Sequence, residues 1–273
     1  MNQPTEKFII QAYRAGKWHE DGDSLTVEEP LEIHICQTDE KESKLVATTM
    51  RTPGHDDELG IGFLFSEGMI RRYEQIRNVE QTSSNSIRIQ VDDNSFKKIR
   101  DSESLNRYSF VNSSCGICGR TSIEELREKG FKRIESAVIV PPKILLDLPN
   151  QMRSAQKIFH HTGGLHAAGL FDPKGEPVCL REDIGRHNAV DKIIGDAWLR
   201  ELLPLTKSIL MVSGRSSYEI VQKALSAQIP ILAAVSAPSH LAVKVAHEFG
   251  ITLIGFLRDD RFNVYTYPER IKN

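Results

Sequence analysis

The last third of the chain alternates short apolar segments with helical patterns, and this alternation restricts the fold more than any other feature. Segments 208–212, 231–235 and 252–256 are apolar runs of strand length, and segments 217–227 and 239–249 between them have helical periodicity. Strands that alternate with helices usually pair in parallel through right-handed crossovers. We therefore predict a three-layer α/β sheet for this region.

The segments before this region extend the same sheet. A helical pattern covers 150–161, two strands flank the turn at 172–175, and a further helix covers 188–203. Asp, Pro and Gly at the turn favour a hairpin. The predicted order from residue 150 onward is therefore αββαβαβαβ.

The first half of the chain has a different pattern. Alternating apolar residues predict strands at 31–36, 44–50 and 86–91. A helix is predicted at 56–69, because Pro53-Gly54 precedes it, acidic residues occupy its first turn and Gly68 lies near its end. This half is typical of a small α+β unit.

The Pro141-Pro142 pair marks the predicted boundary between two domains. We predict an N-terminal α+β domain at 1–140, with a cysteine loop at 110–120 near its end. The C-terminal α/β domain is predicted at 141–273.

Cys115 and Cys118 form a CxxC pair flanked by small residues, in a segment without an apolar pattern that would bury them. An exposed thiol close to a cation such as Arg120 is partly in the thiolate form that attacks sulfur. A short helix is predicted to begin at Ser122 with a capping box and to end at Gly130. The pair thus predicts cysteine chemistry in a connector between the two domains.

Charge and apolar content exclude several classes of partner. The chain has 35 Lys and Arg against 37 Asp and Glu, so no overall basic field attracts nucleic acid. The start lacks a basic segment followed by an apolar run, and the longest apolar runs are too short to cross a bilayer. We expect a cytoplasmic protein that binds neither membrane nor nucleic acid. In a reducing compartment a cysteine pair is more often catalytic, redox-active or metal-binding than a stable disulfide.

Five segments rich in Gly, Ser and Arg lie beside the predicted strands, at 162–166, 181–188, 213–217, 236–239 and 258–261. Ligands of open α/β sheets bind at the carboxyl ends of the strands, where helix N-termini present free N–H groups. Arginine binds phosphate bidentately, and a carboxylate can accept the N–H donors of guanine. A nucleotide-bearing ligand fits these segments, although no GxxxxGK[ST] motif for nucleotide hydrolysis is present.

Together these segments resemble the formate dehydrogenase accessory sulfurtransferases. The resemblance rests on the motifs at 114–119, 162–168, 181–192, 213–215, 236–238 and 255–256. It implies a carrier-type sulfurtransferase that takes sulfur from a cysteine desulfurase as a Cys115 persulfide. The sulfur then passes to the bis-molybdopterin guanine dinucleotide form of the molybdenum cofactor, which is needed for formate dehydrogenase activity. A guanine nucleotide is expected to substitute for this bound substrate, and the catalytic subunit of formate dehydrogenase is an expected partner, with a homodimer left open.

The resemblance also implies a C-terminal domain similar to the cytidine deaminase fold, with no metal bound by the protein. Cys115 matches the cysteine that carries the persulfide, and Cys118 is expected to assist or resolve it. The residues expected to bind the cofactor are Thr162, Gly163, Gly164, His166, Asp183, Gly185, Arg186, His187, Asn188, Asp191, Ser213, Gly214, Arg215, Ser236, Ala237, Pro238, Phe256, Leu257, Arg258, Asp259, Asp260 and Arg261.

Other functions remain open for the cysteine pair. It can be half of a structural zinc site, which requires about two more ligands, or a dithiol redox switch. The chain can also be a noncatalytic chaperone that escorts the cofactor. A zinc deaminase is disfavoured, because the relevant helix starts at 187–189 and 213–215 lack the HxE and PCxxC motifs.

Structural roles also remain open for several of the predicted binding residues. His166 and His187 can be buried histidines that satisfy backbone carbonyls. Asp183 and Asp191 can cap helices or pair with nearby cations, and Phe256 can belong to the core.

Overall fold

The computed structural model describes residues 3–39, 42–101 and 119–273, with side chains from residue 123 onward in the last range. Residues 110–118 of the predicted cysteine loop, with Cys115 and Cys118, lie outside these residues, whereas residues 119 and 120 belong to a helix. None of the helices in the described ranges combines the length and apolar character needed to cross a membrane.

The elements are β1 (Thr5–Arg14), β2 (Lys17–Thr26), β3 (Glu29–Cys36), β4 (Ser43–Arg51), α1 (Asp56–Ser66), β5 (Ile76–Ser83), β6 (Ser86–Val91), α2 (Asp93–Arg100), α3 (Gly119–Glu128), α4 (Pro142–Ala155), α5 (Lys157–Thr162), β7 (His166–Phe171), β8 (Pro177–Asp183), α6 (Arg186–Leu199), β9 (Ile209–Val212), α7 (Tyr218–Ser226), β10 (Ile231–Ala234), α8 (His240–Phe249), β11 (Thr252–Gly255) and β12 (Asn263–Val264).

The larger sheet has six strands in the order β12-β11-β10-β9-β7-β8. Strands β9, β10 and β11 are parallel, as predicted, and β7 is antiparallel to both β8 and β9. Leu210 and Val212 face a core shared with α6, α7 and α8, whereas Ile209 and Met211 face a second core shared with α4. The mixed α/β class is therefore confirmed, and the likeness to cytidine deaminases stays a prediction.

The smaller sheet has four strands in the order β4-β3-β6-β5. The three strands predicted from alternating apolar residues are present as β3, β4 and β6. Sequence reasoning missed β5 and the separate β1-β2 hairpin. The hairpin exposes apolar residues such as Ile9 and Trp18 on its surface, so it lacks the apolar–polar alternation of a half-buried strand.

Helix α1 packs between the smaller sheet and α6. A Cβ atom on Gly62 would lie 1.9 Å from the Asp191 carbonyl oxygen, and one on Gly195 would lie 1.9 Å from the Glu58 carbonyl oxygen. Only glycine allows two helix backbones to approach so closely. One main core consequently runs through both halves of the chain, from Leu31 to Leu253, while the domain boundary after residue 140 stays a prediction.

Several predicted bounds were wrong. Pro142 is the first residue of α4, so this helix begins before its predicted start at residue 150, at a position that tolerates proline because the missing N–H has no helical partner. The predicted helix at 150–161 is two helices, α4 and α5, which meet at Gln156. Helix α3 begins at Gly119, so Ser122 lies inside the helix and not at its N-cap.

Candidate functional site

Two adjoining cavities lie between α4 and the carboxyl ends of β9, β10 and β11, which we call the groove end of the sheet. The first cavity has a volume of about 470 Å³ and the second about 670 Å³. Pro149, Arg153 and Val235 line both, so the cavities form one groove. The other lining residues are Met152, Gln156, Phe159, Gly163, Gly164, Leu165, His166 and Ser213 in the first cavity, and Leu257, Arg258, Asp259, Asp260 and Arg261 in the second.

Three of the predicted binding segments therefore meet in this groove. Residues 163–166 and Ser213 line the first cavity, and residues 257–261 line the second. Gly214 lies directly behind the first cavity, because a Cβ atom there would be 3.4 Å from both Arg186 Cδ and His166 Nδ1. The parallel sheet brings these segments together, since the carboxyl ends of its strands meet at one edge.

The wall formed by α5 and the glycine loop is fixed by hydrogen bonds. The Glu182 carboxylate accepts the backbone N–H groups of Ile158 at 2.9 Å and Phe159 at 2.8 Å, which are otherwise unpaired at a helix start. Thr162 Oγ1 accepts from Thr26 Oγ1 at 2.9 Å, which ties the wall to β2. Gly163 then ends α5 with a positive φ of 66°, a conformation that favours glycine.

Ser213 is held in place by its neighbour on β7. Its backbone N–H donates to the Ala167 carbonyl and its Oγ accepts from the Ala167 N–H, both at 2.9 Å. The hydroxyl proton of Ser213 has no acceptor within the described ranges. Ser213 can therefore donate a hydrogen bond into the first cavity.

Two histidines at the groove end have lowered pKa values. Burial, and then the charge of Arg186, lowers the pKa of His166. Burial, followed by the charges of Lys223 and Arg186, lowers the pKa of His187 to about 4. His187 Nε2 lies 3.2 Å from Ser217 Oγ. Both imidazoles are neutral at pH 7, so each has one donor and one acceptor nitrogen.

Two buried polar atoms at the groove end have no hydrogen-bond partner in the described structure. They are Arg186 Nε and Ser216 Oγ. Ser216 is fully buried, and its carbonyl accepts from Ser239 N–H in the neighbouring loop. Buried polar groups are rarely left unpaired, so the groove end has hydrogen-bonding capacity that the described residues do not use.

Asp183 has a different environment from the groove residues. It is fully buried, and its carboxylate accepts from Lys192 Nζ at 2.7 Å, Gly185 N–H at 2.8 Å and Asn188 Nδ2 at 3.0 Å. Asn188 Nδ2 also donates to the Met50 carbonyl. These three predicted binding residues thus join α6 to β4, and the geometry favours the structural role that the sequence left open for Asp183.

Asp191 is likewise engaged inside the protein. Its carboxylate accepts from Lys223 Nζ at 2.8 Å on each oxygen and from Ser66 Oγ at 2.9 Å. The residue is 2% exposed and is absent from the lining of both cavities. Asp191 therefore links α1, α6 and α7, and the prediction that it binds the cofactor gains no support.

Of the remaining predicted residues, Arg215 follows β9 and is exposed. Residues 236–238 follow β10, and Phe256 and Leu257 follow β11. Phe256 has a positive φ of 53° and is 42% exposed, so it does not belong to the core. Its N–H donates to the Ser236 carbonyl, and Pro238 packs against Gly255. Leu257, in contrast, is fully buried in the second core, and it also lines the second cavity. Residues 236–238 thus adjoin the groove without lining it.

Sequence reasoning missed the contribution of α4 and α5 to the groove. Pro149, Met152 and Arg153 come from α4, Phe159 comes from α5, and Gln156 lies between the two helices. A helical pattern shows which side is apolar but not which end of the helix reaches the edge of a sheet. No local signal therefore distinguishes Arg153 from other helical arginines in the sequence.

Helix α3 lies beside α7 and α8. Arg127 forms an ion pair with Glu248 near the end of α8, far from the groove. Glu125 lies close enough to Tyr218, the first residue of α7, to raise its pKa together with burial.

Comparisons with known proteins cover nearly the whole chain. The FdhD/NarQ family model matches residues 26–272. The chain is 44% identical over 280 residues to the sulfur carrier protein FdhD of Streptomyces coelicolor, covering 99% of this chain and 97% of that protein. It is 39% identical over 271 residues to the protein of the same name from Saccharolobus solfataricus, covering 99% and 100%.

A solved structure has the same fold. It is a crystal structure from Desulfotalea psychrophila, provisionally assigned as a formate dehydrogenase accessory protein, with a TM-score of 0.76 and 25% sequence identity. The match covers 98% of this chain and 99% of that one.

Proposed function

The chain belongs to the FdhD/NarQ family, and we propose that it is a sulfur carrier in the maturation of formate dehydrogenase. The observation that carries this proposal is its similarity, over almost its full length, to relatives named for sulfur transfer. The free hydroxyl proton of Ser213 in the groove, and the unpaired Arg186 Nε and Ser216 Oγ at the groove end, support it, because such donors suit a phosphate-bearing substrate. We further propose that the substrate is the bis-molybdopterin guanine dinucleotide cofactor.

In the proposed reaction, Cys115 carries the sulfur. Its thiolate attacks the outer sulfur of a persulfide on a cysteine desulfurase, so the donor S–S bond breaks and a new S–S bond forms on Cys115. The donor leaves as a thiolate. Cys118 then attacks the inner sulfur, which releases sulfide and leaves a Cys115–Cys118 disulfide that a cellular thiol reduces. The cofactor would take up this sulfide as a molybdenum ligand in exchange for an oxygen ligand, which would leave as water.

The described residues supply binding and orientation. Gly163 and Gly164 permit close approach of the substrate to the backbone, and Ser213 donates through its free hydroxyl proton. Arg186 supplies a cation whose Nε is unpaired.

The test of the proposal is mass spectrometry of the peptide that contains Cys115, after incubation with a cysteine desulfurase and cysteine. We expect one added sulfur atom on this peptide. Cys118→Ala should retain the added sulfur for longer, because the resolving thiol is absent, and Cys115→Ala should acquire none. Equal labelling of the Cys115→Ala protein would contradict the assignment.

A noncatalytic chaperone is the second candidate, and the unpaired Arg186 and Ser216 atoms favour it equally, because they concern binding alone. A chaperone would bind guanine nucleotides but acquire no sulfur in the same experiment. In cells it would support formate dehydrogenase activity when Cys115→Ala is the only copy present. Normal activity in that strain would therefore favour the chaperone over the carrier.

Structural zinc is tested separately. Within the described ranges there is no group of three or more His, Cys, Asp or Glu side chains placed to hold a metal. We propose that the protein works in the cytoplasm without a metal of its own. Stoichiometric zinc in the purified protein, with unfolding on chelation, would contradict this.

A further inference from the structure

Arg153 lies where the two cavities of the groove meet. It lines both of them together with Pro149 and Val235. The other two residues offer the groove only apolar side chains. Arg153 is thus the shared residue whose side chain can form charged hydrogen bonds with a ligand that spans both cavities.

The charges around this junction are not balanced by ion pairs. Arg258 and Arg261 line the second cavity, and Arg258 donates to the backbone carbonyls of Val235 and Leu257. In the part of the chain that the structure describes, no carboxylate forms an ion pair with Arg153, Arg258 or Arg261. Asp259 and Asp260 line the same cavity and offset part of this charge, which leaves three arginines against two carboxylates. The junction therefore attracts an anionic group.

The two cavities differ in character on either side of Arg153. Met152, Phe159 and Leu165 give the first cavity an apolar wall that suits a flat heterocycle. The second cavity adds carboxylates, from Asp259 and Asp260, that can accept the N–H donors of a second heterocycle. Both volumes lie in the range of small-molecule sites. A molecule with two heterocyclic ends and an anionic centre matches this order.

We propose that Arg153 binds the phosphate bridge of a dinucleotide whose two heterocyclic ends occupy the two cavities. The guanidinium group suits this role, because its parallel N–H donors match phosphate oxygens. Its own helix fixes the Arg153 backbone, since the carbonyl accepts from Gln156 N–H and lies 2.8 Å from His160 Nε2. The inference rests on the proposed function, which predicts a guanine dinucleotide as the bound substrate.

The experiment measures the binding of guanosine diphosphate and of guanosine by calorimetry. For Arg153→Gln, the Kd for guanosine diphosphate should rise about tenfold, whereas the Kd for guanosine should change less than twofold. Arg153→Lys keeps the positive charge but loses the parallel N–H donors of the guanidinium group, so its Kd for guanosine diphosphate should rise about threefold. Arg77→Gln removes the same charge from exposed β5 and should change either Kd less than twofold.

Three outcomes would overturn the inference. An unchanged affinity of Arg153→Gln for guanosine diphosphate would show that the side chain does not contact phosphate. An equal loss for both probes would show that Arg153 only shapes the wall. Failure of the unaltered protein to bind guanosine diphosphate would remove the site.

The sulfur-carrier proposal can fail while the Arg153 proposal holds, and the Arg153 proposal can fail while the sulfur-carrier proposal holds. Sulfur loading of Cys115 is measured by mass spectrometry without nucleotide, and Arg153→Gln should load as the unaltered protein does. A tenfold loss of nucleotide affinity in a protein that never takes up sulfur would refute the carrier and retain the role of Arg153. Normal sulfur loading of Cys115 together with an unchanged nucleotide affinity of Arg153→Gln would retain the carrier and refute the role of Arg153.

Discussion

The groove residues and residues of the segment 181–192 were both predicted to bind the cofactor, but the two regions differ in how many of their polar groups are already paired within the protein. In the groove, the hydroxyl proton of Ser213 is free to donate, and within the segment 181–192 only Arg186, at the start of α6, has an unpaired nitrogen among the described residues. In the second region, Asp183 and Asp191 are buried in complete ion pairs. The comparison teaches that a charged motif indicates a ligand site only where its polar groups remain unsatisfied after folding.

The largest expected effect comes from breaking the buried Asp183–Lys192 pair. Lys192→Met leaves the Asp183 carboxylate buried without its cation, which should lower the free energy of unfolding by about 3–5 kcal/mol. Urea unfolding measures this change. Arg14→Gln is the control, because the exposed Arg14–Asp21 pair should contribute less than about 1 kcal/mol. Similar values for the two variants would mean that the second region is not a structural junction.

The next effect concerns pH. The pKa of His187 is about 4 in the folded protein, against about 6.5 in an unfolded chain. The unfolded chain therefore binds a proton first, and stability that is fully present above about pH 6.5 is lost as the pH falls toward 4. The difference corresponds to up to about 3 kcal/mol.

His187→Asn should reduce this loss when urea unfolding is followed from pH 7.5 to pH 4.5. Exposed His19 lies on β2, and His19→Asn should leave the pH dependence unchanged. If His187→Asn and the unaltered protein lose stability in parallel, the buried neutral imidazole is not the cause.

A smaller effect is expected where α1 and α6 touch. Gly195→Ala places a Cβ atom against the Glu58 carbonyl, so the helices must separate, at a cost of about 1–3 kcal/mol. Gly22→Ala on β2 is the matched control, because its Cβ would contact nothing within 4 Å. Thermal or urea unfolding compares them. Equal stability of the two variants would show that the contact between the helices adapts freely.

The smallest effect on stability, and the sharpest contrast with Lys192→Met, is expected for Arg186→Gln. Because Arg186 Nε has no partner, its removal should change the unfolding free energy by less than about 1 kcal/mol. The Kd for guanosine diphosphate should nevertheless rise about tenfold. A variant that loses stability but retains nucleotide affinity would place Arg186 with the structural region instead of the groove.

Much of the fold could be predicted because its signals are local. The Asp172 turn, the parallel strands β9 to β11 and the helices between them all follow from apolar runs and turn residues. The β1-β2 hairpin could not be predicted in this way, since its apolar side chains stay exposed on both faces. The predicted start of α4, at residue 150, was also wrong, because Pro142 fits the first turn of a helix as well as a domain boundary.

The site was predicted only in part. The glycine loop and Ser213 were found because strand ends in a parallel sheet meet at one edge. The α4 wall with Arg153 was missed, because its place in the groove depends on how α4 crosses the second core. Cys115 and Cys118, which lie outside the described residues, were identified from the sequence alone.

The sequence by itself determined the order of strands and helices, the parallel pairing and the glycine turns, because each depends on residues close together in the chain. Only the tertiary structure decided which charged groups are paired and which are free. Lys192 binds the carbonyl of Thr52, and Asn188 binds the carbonyl of Met50, across more than a hundred residues. Such partners meet only when α6 packs beside α1 and β4, and burial then makes their pairing obligatory.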